Sequence, residues 1–445
     1  MLNILFQLFC FIKRYAILQK SKRKILRMEG FPMKLTSYEQ EMLNGRYGEG
    51  KKFAMEIIAQ MGKLYGADHL LPITKAHIDT AAYTTICDAG ADFVKYFADQ
   101  GVKVSVPTTV NSLAHDRHNW KELGCDEHTV SKSEEIIKSY QKMGVIQTWT
   151  CAPYQTANIP RFGEVVSWSE SNAVNYINSV IGARTERLPD MLDICCAVTG
   201  RVPAYGLYLT ENRKGDVLFR LEGFSNDRFH NTADFSLLGY YIGQNVGTKV
   251  PVIEGLPTET TGDQLKLLSA ALAAGGSVAL FHCIGLTPEA ATLEDAFHGS
   301  TDYEEKMVTP EDLRSVGQTL GNAKNHHADI VMVGCPHASV NEMLEIANLL
   351  NGRKTDKSVR FWLMTSEDQY HLADETDIME RLLKAGVIVT RDTCAMLTIT
   401  GNEWRGKTLV TNSAKGAMYA SDVLGVQVHI GSTEECVEAA VNGKW

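Results

Sequence analysis

The feature that most constrains this chain is an alternation of two grammars. Short β-branched runs recur at residues 70–73, 102–106, 145–150, 165–166, 277–280, 330–333, 361–364, 387–389 and 408–410. Stretches of helical periodicity lie between them. One is 47–65, where Phe53, Ile57, Ile58 and Met61 share a side, and a capping box at Thr36 and Glu39 opens the helix before it. Strands that alternate with helices predict an α/β architecture with mostly parallel sheets, because a parallel pair needs a crossover connection. Small or polar turns follow most of these runs, and ligands of open α/β sheets sit at the C-terminal strand ends.

A chain of 445 residues, 44% of them hydrophobic and 22% charged, has the make-up of an ordinary globular protein with more than one unit. A break near residues 249–257 divides it into regions 33–250 and 251–445. Residues 1–32 read as an extension outside the globular part. They hold an apolar run, 4–12, too short to span a bilayer, and a basic stretch, 20–27. Translation from Met33 is the expected start, with a membrane-surface tether as the minor alternative. The net charge of −9 and the lack of a basic stripe argue against nucleic acid as a partner. No membrane partner and a cytoplasmic location are expected.

The 10 cysteines are scattered rather than framed for disulfides, which fits a reducing compartment. Cys151, Cys335 and Cys394 stand apart from the rest, since each lies just past an expected strand in a turn of small or polar residues. Matching placement at sheet ends makes them the candidate metal ligands, thiolates being suited to iron, iron–sulfur clusters or zinc. Cys283, beside His282, is the substitute. Cys87 is placed in a helix, Cys125 in a polar loop, and Cys195 and Cys196 in packing. A metal there would act on a leaving hydroxyl, and elimination also needs a base. His77 and Lys75, expected at a strand end, are candidates against a structural reading. So is Lys415, to meet a carboxylate, against a plain surface lysine. Ser339 reads either as an anion contact at a helix start or as an N-cap.

Several ordered motifs carry a resemblance. They are residues 73–79 (ITKAHID), 107–111 (PTTVN), 150–154 (TCAPY), 205–209 with 211–213, 285–290, 334–339 (GCPHAS), 392–394 (DTC) and 411–415 (TNSAK). With them the chain resembles aconitase X, the divergent branch of the aconitase superfamily, from about Leu35 onward. A fainter echo of ordinary aconitases lies in Cys151-Ala152-Pro153-Tyr154, where tyrosine replaces a second cysteine, and in the serine- and asparagine-rich stretch 169–184.

The resemblance implies an aconitase-like, multi-lobed α/β/α fold and an iron-dependent hydro-lyase. It implies iron, as a [2Fe–2S] cluster or a single ion, on Cys151, Cys335 and Cys394. Thr108, Thr109, Asn111, Ser171, Asn172, Ser339, Ser366 and Ser413 are the candidate contacts for a small carboxylate substrate. Cis-3-hydroxy-L-proline, giving pyrroline-2-carboxylate, is the first substrate reading, because no arginine cluster for a phosphate stands out. The large subunit of a mevalonate 5-phosphate dehydratase is the alternative. A metal-binding regulatory or RNA-binding protein is the alternative of another class. The small swivelling domain that completes such sites, with its serine base, is not found in the sequence, so a separate small subunit is the expected partner.

Overall fold

A computed structural model describes residues 33–224, 229, 231–398 and 402–445. The expected apolar run, basic stretch and Cys10 lie outside the described residues. The architecture is mixed α/β, and its sheets are mostly parallel, as expected.

The first lobe begins with the Thr36/Glu39 capping box, which is formed, ahead of the helix Ser37–Leu43. The helix Glu49–Leu64 follows and buries Met55 and Ile58. Five short strands come next: β1 (Leu70–Pro72), β2 (Ala76–Ile78), β3 (Thr108–Val110), β4 (Ser167–Trp168) and β5 (Arg201–Pro203). β1 pairs with β5 antiparallel. β2 lies between β3 and β4, parallel to both. Several strand expectations shift here. Residues 102–106 form no strand, because Val104 and Ser105 donate their N–H groups to the carbonyls of Met143 and Ala197 instead. Residues 145–150 contribute only a bridge between Val110 and Trp149, and Val165 only a bridge to Arg184. Cys87 lies in the helix Tyr83–Asp99, but at a kink with φ 50°.

The second lobe holds β6 (Val217–Leu221), β7 (Pro251–Glu254), β8 (His282–Cys283) and β9 (Glu304–Val308), all parallel in the order β8-β7-β6-β9. The strand expected at 277–280 is thus displaced to His282–Cys283. Segment 249–257, read as a boundary, contains β7, which pairs in register with β6 inside this sheet. The helices Thr232–Val246 and Gly262–Gly276 cross at close range. A Cβ on Gly276 would lie 1.9 Å from the Gly243 carbonyl oxygen, so only glycine permits that approach.

The third lobe holds β10 (Ile330–Val333), β11 (Arg360–Thr365), β12 (Ile388–Arg391), β13 (Thr408–Thr411) and β14 (Gln427–Ile430). All are parallel, in the order β12-β11-β10-β13-β14. Every residue of β10 and β13 is buried, which explains why β10 reads as an uninterrupted apolar run. The lobes are stitched together by backbone. Leu113 donates to the Asp392 carbonyl, Arg391 N–H to Asp116, and Ala414 N–H to Ser236 Oγ at 2.6 Å. No helix among the described residues is long and apolar enough to cross a membrane.

Candidate active site

In the third lobe the strand order reverses between β10 and β13, so a crevice opens past their C-terminal ends. The chain leaves β10 through Gly334, Cys335, a cis Pro336 and His337, and enters the helix Val340–Leu350 with Ser339 as N-cap. It leaves β13 through Asn412 and Ser413, which caps the helix Ala414–Tyr419 and lies beside Cys335. Lys415 sits in that first turn. Cys394 follows β12 at the same edge of the sheet.

The first lobe presents its own parallel strand ends to this crevice. Thr150 N–H donates to the Val110 carbonyl, which places Cys151 past the C-terminal end of β3. His337 N–H reaches Cys151 Sγ at 3.4 Å across the two lobes. Cys335 acts electrostatically on both Cys151 and Cys394. As residues, Cys151, Cys335 and Cys394 are each half-buried, whereas Cys125, Cys195, Cys196, Cys283 and Cys436 are buried outright. Cys283 packs in the core of the second lobe with Phe219 and Phe281, so it is no substitute ligand.

Burial pushes all three thiols up, Cys394 to about 12, with the acid Glu170 adding to the effect at Cys151 and Cys335. Lys415 works against it at each. Its Nζ lies 2.8 Å from Glu170 and 3.5 Å from Ser171 Oγ. Burial alone would pull the Lys415 ammonium down, but Glu170 and the thiol groups of Cys335 and Cys151 hold it above its usual range. Asp79, past the end of β2, is pushed well up by burial and by Glu170, Asp190 and Asp193, while Asn111 donates to it and opposes the rise.

The remaining sequence candidates sort by position. His77 is not past a strand end but inside β2, fully buried, with Nδ1 2.9 Å from Thr109 Oγ1 and its ring beside Trp168. Burial pulls it down to about 3, so it is a neutral imidazole whose Nε2 has no partner. Lys75 precedes β2, at the end of the sheet opposite Cys151, and forms an ion pair with Glu164 at 3.0 Å. Thr108 donates to the Val106 carbonyl, a structural bond. Thr109 also receives the Asn158 amide at 3.0 Å. Asn172 holds the Cys151 carbonyl at 3.1 Å and the Tyr154 hydroxyl at 2.9 Å. The tyrosine that replaces a second cysteine thus buttresses the Cys151 turn. Ser339 takes the N-cap role, and its hydroxyl is committed to the protein's own Asp263 at 2.8 Å. Ser366 caps the helix Glu367–Asp374.

Sequence reading missed Asp79, Glu170 and Lys266. Glu170 caps the helix Ser171–Tyr176, accepting from Ala173 N–H at 2.7 Å, so an acid just before a Ser-Asn helix start was its signal. Lys266 is an apparent surface lysine on an amphipathic helix, yet it is buried between Asp263 and Glu342.

The donor chemistry fits a thiophilic metal: three neighbouring thiols, with Lys415 opposing the upward push of burial on each. The thiols border the crevice rather than closing on a point: among the described residues no three His, Cys, Asp or Glu side chains are gathered tightly enough to grip one ion.

Comparison with known proteins gives a consistent set of likenesses. Models of the aconitase X first, second and third domains match residues 32–211, 215–318 and 328–442. Those spans coincide with the three lobes. The chain is 38% identical over 415 residues to cis-3-hydroxy-L-proline dehydratase of Pseudomonas aeruginosa, covering 92% of this chain and 70% of that protein. It is 36% identical over 408 residues to the phosphomevalonate dehydratase large subunit of Methanocaldococcus jannaschii, covering 91% of this chain and 100% of that one. The crystal structure of Thermococcus kodakaraensis aconitase X in its holo-form superposes with a TM-score of 0.82 at 35% identity, covering 92% of this chain and 100% of that chain.

Proposed function

This chain belongs to the aconitase X family, and on that premise we propose that it is the large subunit of a dehydratase whose substrate is cis-3-hydroxy-L-proline, with iron on Cys151, Cys335 and Cys394. The observation that carries the substrate is the charge balance of the crevice. The cations there are already matched: Lys415 by Glu170, and Lys266 by Asp263 and Glu342. Asp79 adds a further carboxyl group, which burial and the acids Glu170, Asp190 and Asp193 push towards its neutral form and which an incoming ammonium would hold ionised. Such a site suits a zwitterion, whose ammonium meets an acid, better than a phosphate that brings two more negative charges.

Bound iron, as a [2Fe–2S] cluster or a single ion, supplies Lewis acidity at the leaving hydroxyl. The residues of this chain do the rest of the positioning. Lys415, presented on the first turn of its helix, meets the substrate carboxylate and shares its charge with Glu170. Ser413 and Ser171 flank it as neutral donors. Asp79, held by Asn111, faces the ammonium. His77 is too weak a base to take the carbon-bound proton at neutral pH. We assign that proton to a base on a separate small subunit, a partner supported by the likeness to proteins named as large subunits.

A second reading, phosphomevalonate dehydration, is favoured by the match to the full length of large subunits of that enzyme. One experiment decides between them. The chain is co-expressed with a candidate small subunit, purified without oxygen, assayed for iron and offered both substrates. Dehydration of the hydroxyproline that depends on iron and on both subunits is the expected result. Full activity from iron-free protein would sink the reading, and turnover of the phosphate ester alone would replace it with the second.

A further inference from the structure

The three cysteine turns come from two lobes and three different strand ends, so something must hold them in register. The most connected buried side chain at the crevice is His337, which is fully inaccessible. Its four polar atoms each have a different partner. Backbone N–H donates to Cys151 Sγ at 3.4 Å. The carbonyl accepts from Lys266 Nζ at 3.2 Å, on a helix of the second lobe. Nδ1 lies 3.0 Å from the Oγ1 of Thr150, the residue before Cys151. Nε2 lies 2.9 Å from the carbonyl of Thr393, the residue before Cys394.

The network also fixes the tautomer. A carbonyl can only accept, so Nε2 carries the proton, and Nδ1 must accept the Thr150 hydroxyl. Thr150 Oγ1 in turn accepts from Ala152 N–H at 3.0 Å, which tightens the Cys151 turn. A neutral imidazole is the one side chain that can accept at one end and donate at the other across this span without adding a buried charge. Asparagine matches only the near arm and glutamine only the far one.

We propose that His337 is a positioning residue that sets the spacing of the three thiols: its Nδ1 arm holds the Cys151 turn, its Nε2 arm holds the Cys394 turn, and its own turn carries Cys335. This rests on the reading of those thiols as the iron ligands. His337 touches neither substrate nor metal in this role.

The arms are separable, which makes the test specific. Metal-free, full-length His337→Gln and His337→Asn proteins are alkylated with iodoacetamide, and the rate at each cysteine is read by peptide mass spectrometry. His337→Asn, which keeps the Thr150 contact, is expected to speed Cys394 about tenfold, the effect of one lost hydrogen bond on local opening, while Cys151 stays near its wild-type rate. His337→Gln, which keeps the Thr393 contact, is expected to do the reverse. Cys283 and Cys436, in separate cores, report general loosening. Equal acceleration at all four of these cysteines, or at none, overturns the proposal. Should either variant fail to fold, Thr150→Val removes the same Nδ1 contact more gently, and Cys151 must again respond without Cys394. Ferrous iron with sulfide, added anaerobically, is the second measurement. Binding in His337→Asn is expected to weaken by about 10- to 100-fold. Wild-type protein that takes up no iron would end the iron reading of the site, while the alkylation pattern alone would still decide the role of His337.

Discussion

The second and third lobes are wound the same way. The order β8-β7-β6-β9 of one corresponds to β12-β11-β10-β13 of the other, with β14 added at the edge. Each sheet therefore reverses its order once, between β6 and β9 in the second lobe and between β10 and β13 in the third. By topology alone both reversals could form a ligand crevice. Their turn residues differ. β9 ends in Thr309, whose hydroxyl is committed to Asp312 in a capping box at the helix Pro310–Leu320. β13 ends in a turn whose capping serine also lies beside Cys335 and whose next turn offers Lys415. The cysteine of the second lobe, Cys283, is sealed in its core, while Cys335 is partly exposed. Winding decides where a site is possible, and the residues spent or left unspent at the turn decide whether one exists.

The largest expected contrast is between those two cysteines. Cys335→Ala should lose iron and reduce dehydration to background, by metal analysis and activity assay. Cys283→Ala should keep both and cost about 1–2 kcal/mol in urea unfolding, as a small core truncation does. If Cys283→Ala also lost iron, the second lobe would be part of the metal site and the comparison would fail.

Lys415 and Lys306 give the next contrast. Lys415→Met should reduce kcat by about 100-fold or more, whereas Lys306→Met, half-buried on the edge strand β9 with its ammonium on the Asn245 carbonyl, should leave kcat unchanged and shift stability by no more than about 1 kcal/mol. Because Lys415 also neutralises Glu170, the double variant Glu170→Gln/Lys415→Met separates two roles. Activity should stay low in the double variant if the lysine meets substrate. Recovery would make it a structural counter-ion only.

The same contrast explains what the sequence revealed. Four of the third lobe's five strands, β10 to β13, were legible because each carries a buried apolar stretch bounded by a polar turn; β14, whose Gln-Val-His-Ile lacks such a stretch, was not. With the strands came their ends, and with the ends Cys335, Cys394, Ser413 and Lys415. The first lobe was not legible in this way. β2, β3 and β4 are two or three residues long and bury His77, Thr108, Thr109 and Ser167, so neither length nor apolar pattern marks them. Cys151 was found from its turn rather than from its strand. Asp79, Glu170 and Lys266 were hidden for a physical reason: a lysine or carboxylate in one sequence looks solvated until the fold shows the partner that lets it be buried.

The smallest expected contrast concerns the glycine just past the first strand of the second and third lobes. Gly334 has φ +88°, and a Cβ there would stand 2.1 Å from the Met364 carbonyl oxygen, on neighbouring β11. Gly223 has φ +74°, but its Cβ would meet only Pro310 Cδ, at 3.8 Å. Both alanine variants bear the left-handed backbone penalty of about 1–2 kcal/mol. Gly334→Ala must also push the Cys335 turn off the sheet, which adds about 1–3 kcal/mol of overpacking. Urea midpoints at constant m-value should therefore rank Gly334→Ala well below Gly223→Ala. Iron retention should fall only in the first, because that turn alone carries a ligand. Equal losses in the two variants would mean that close contact with the sheet does not set the position of Cys335.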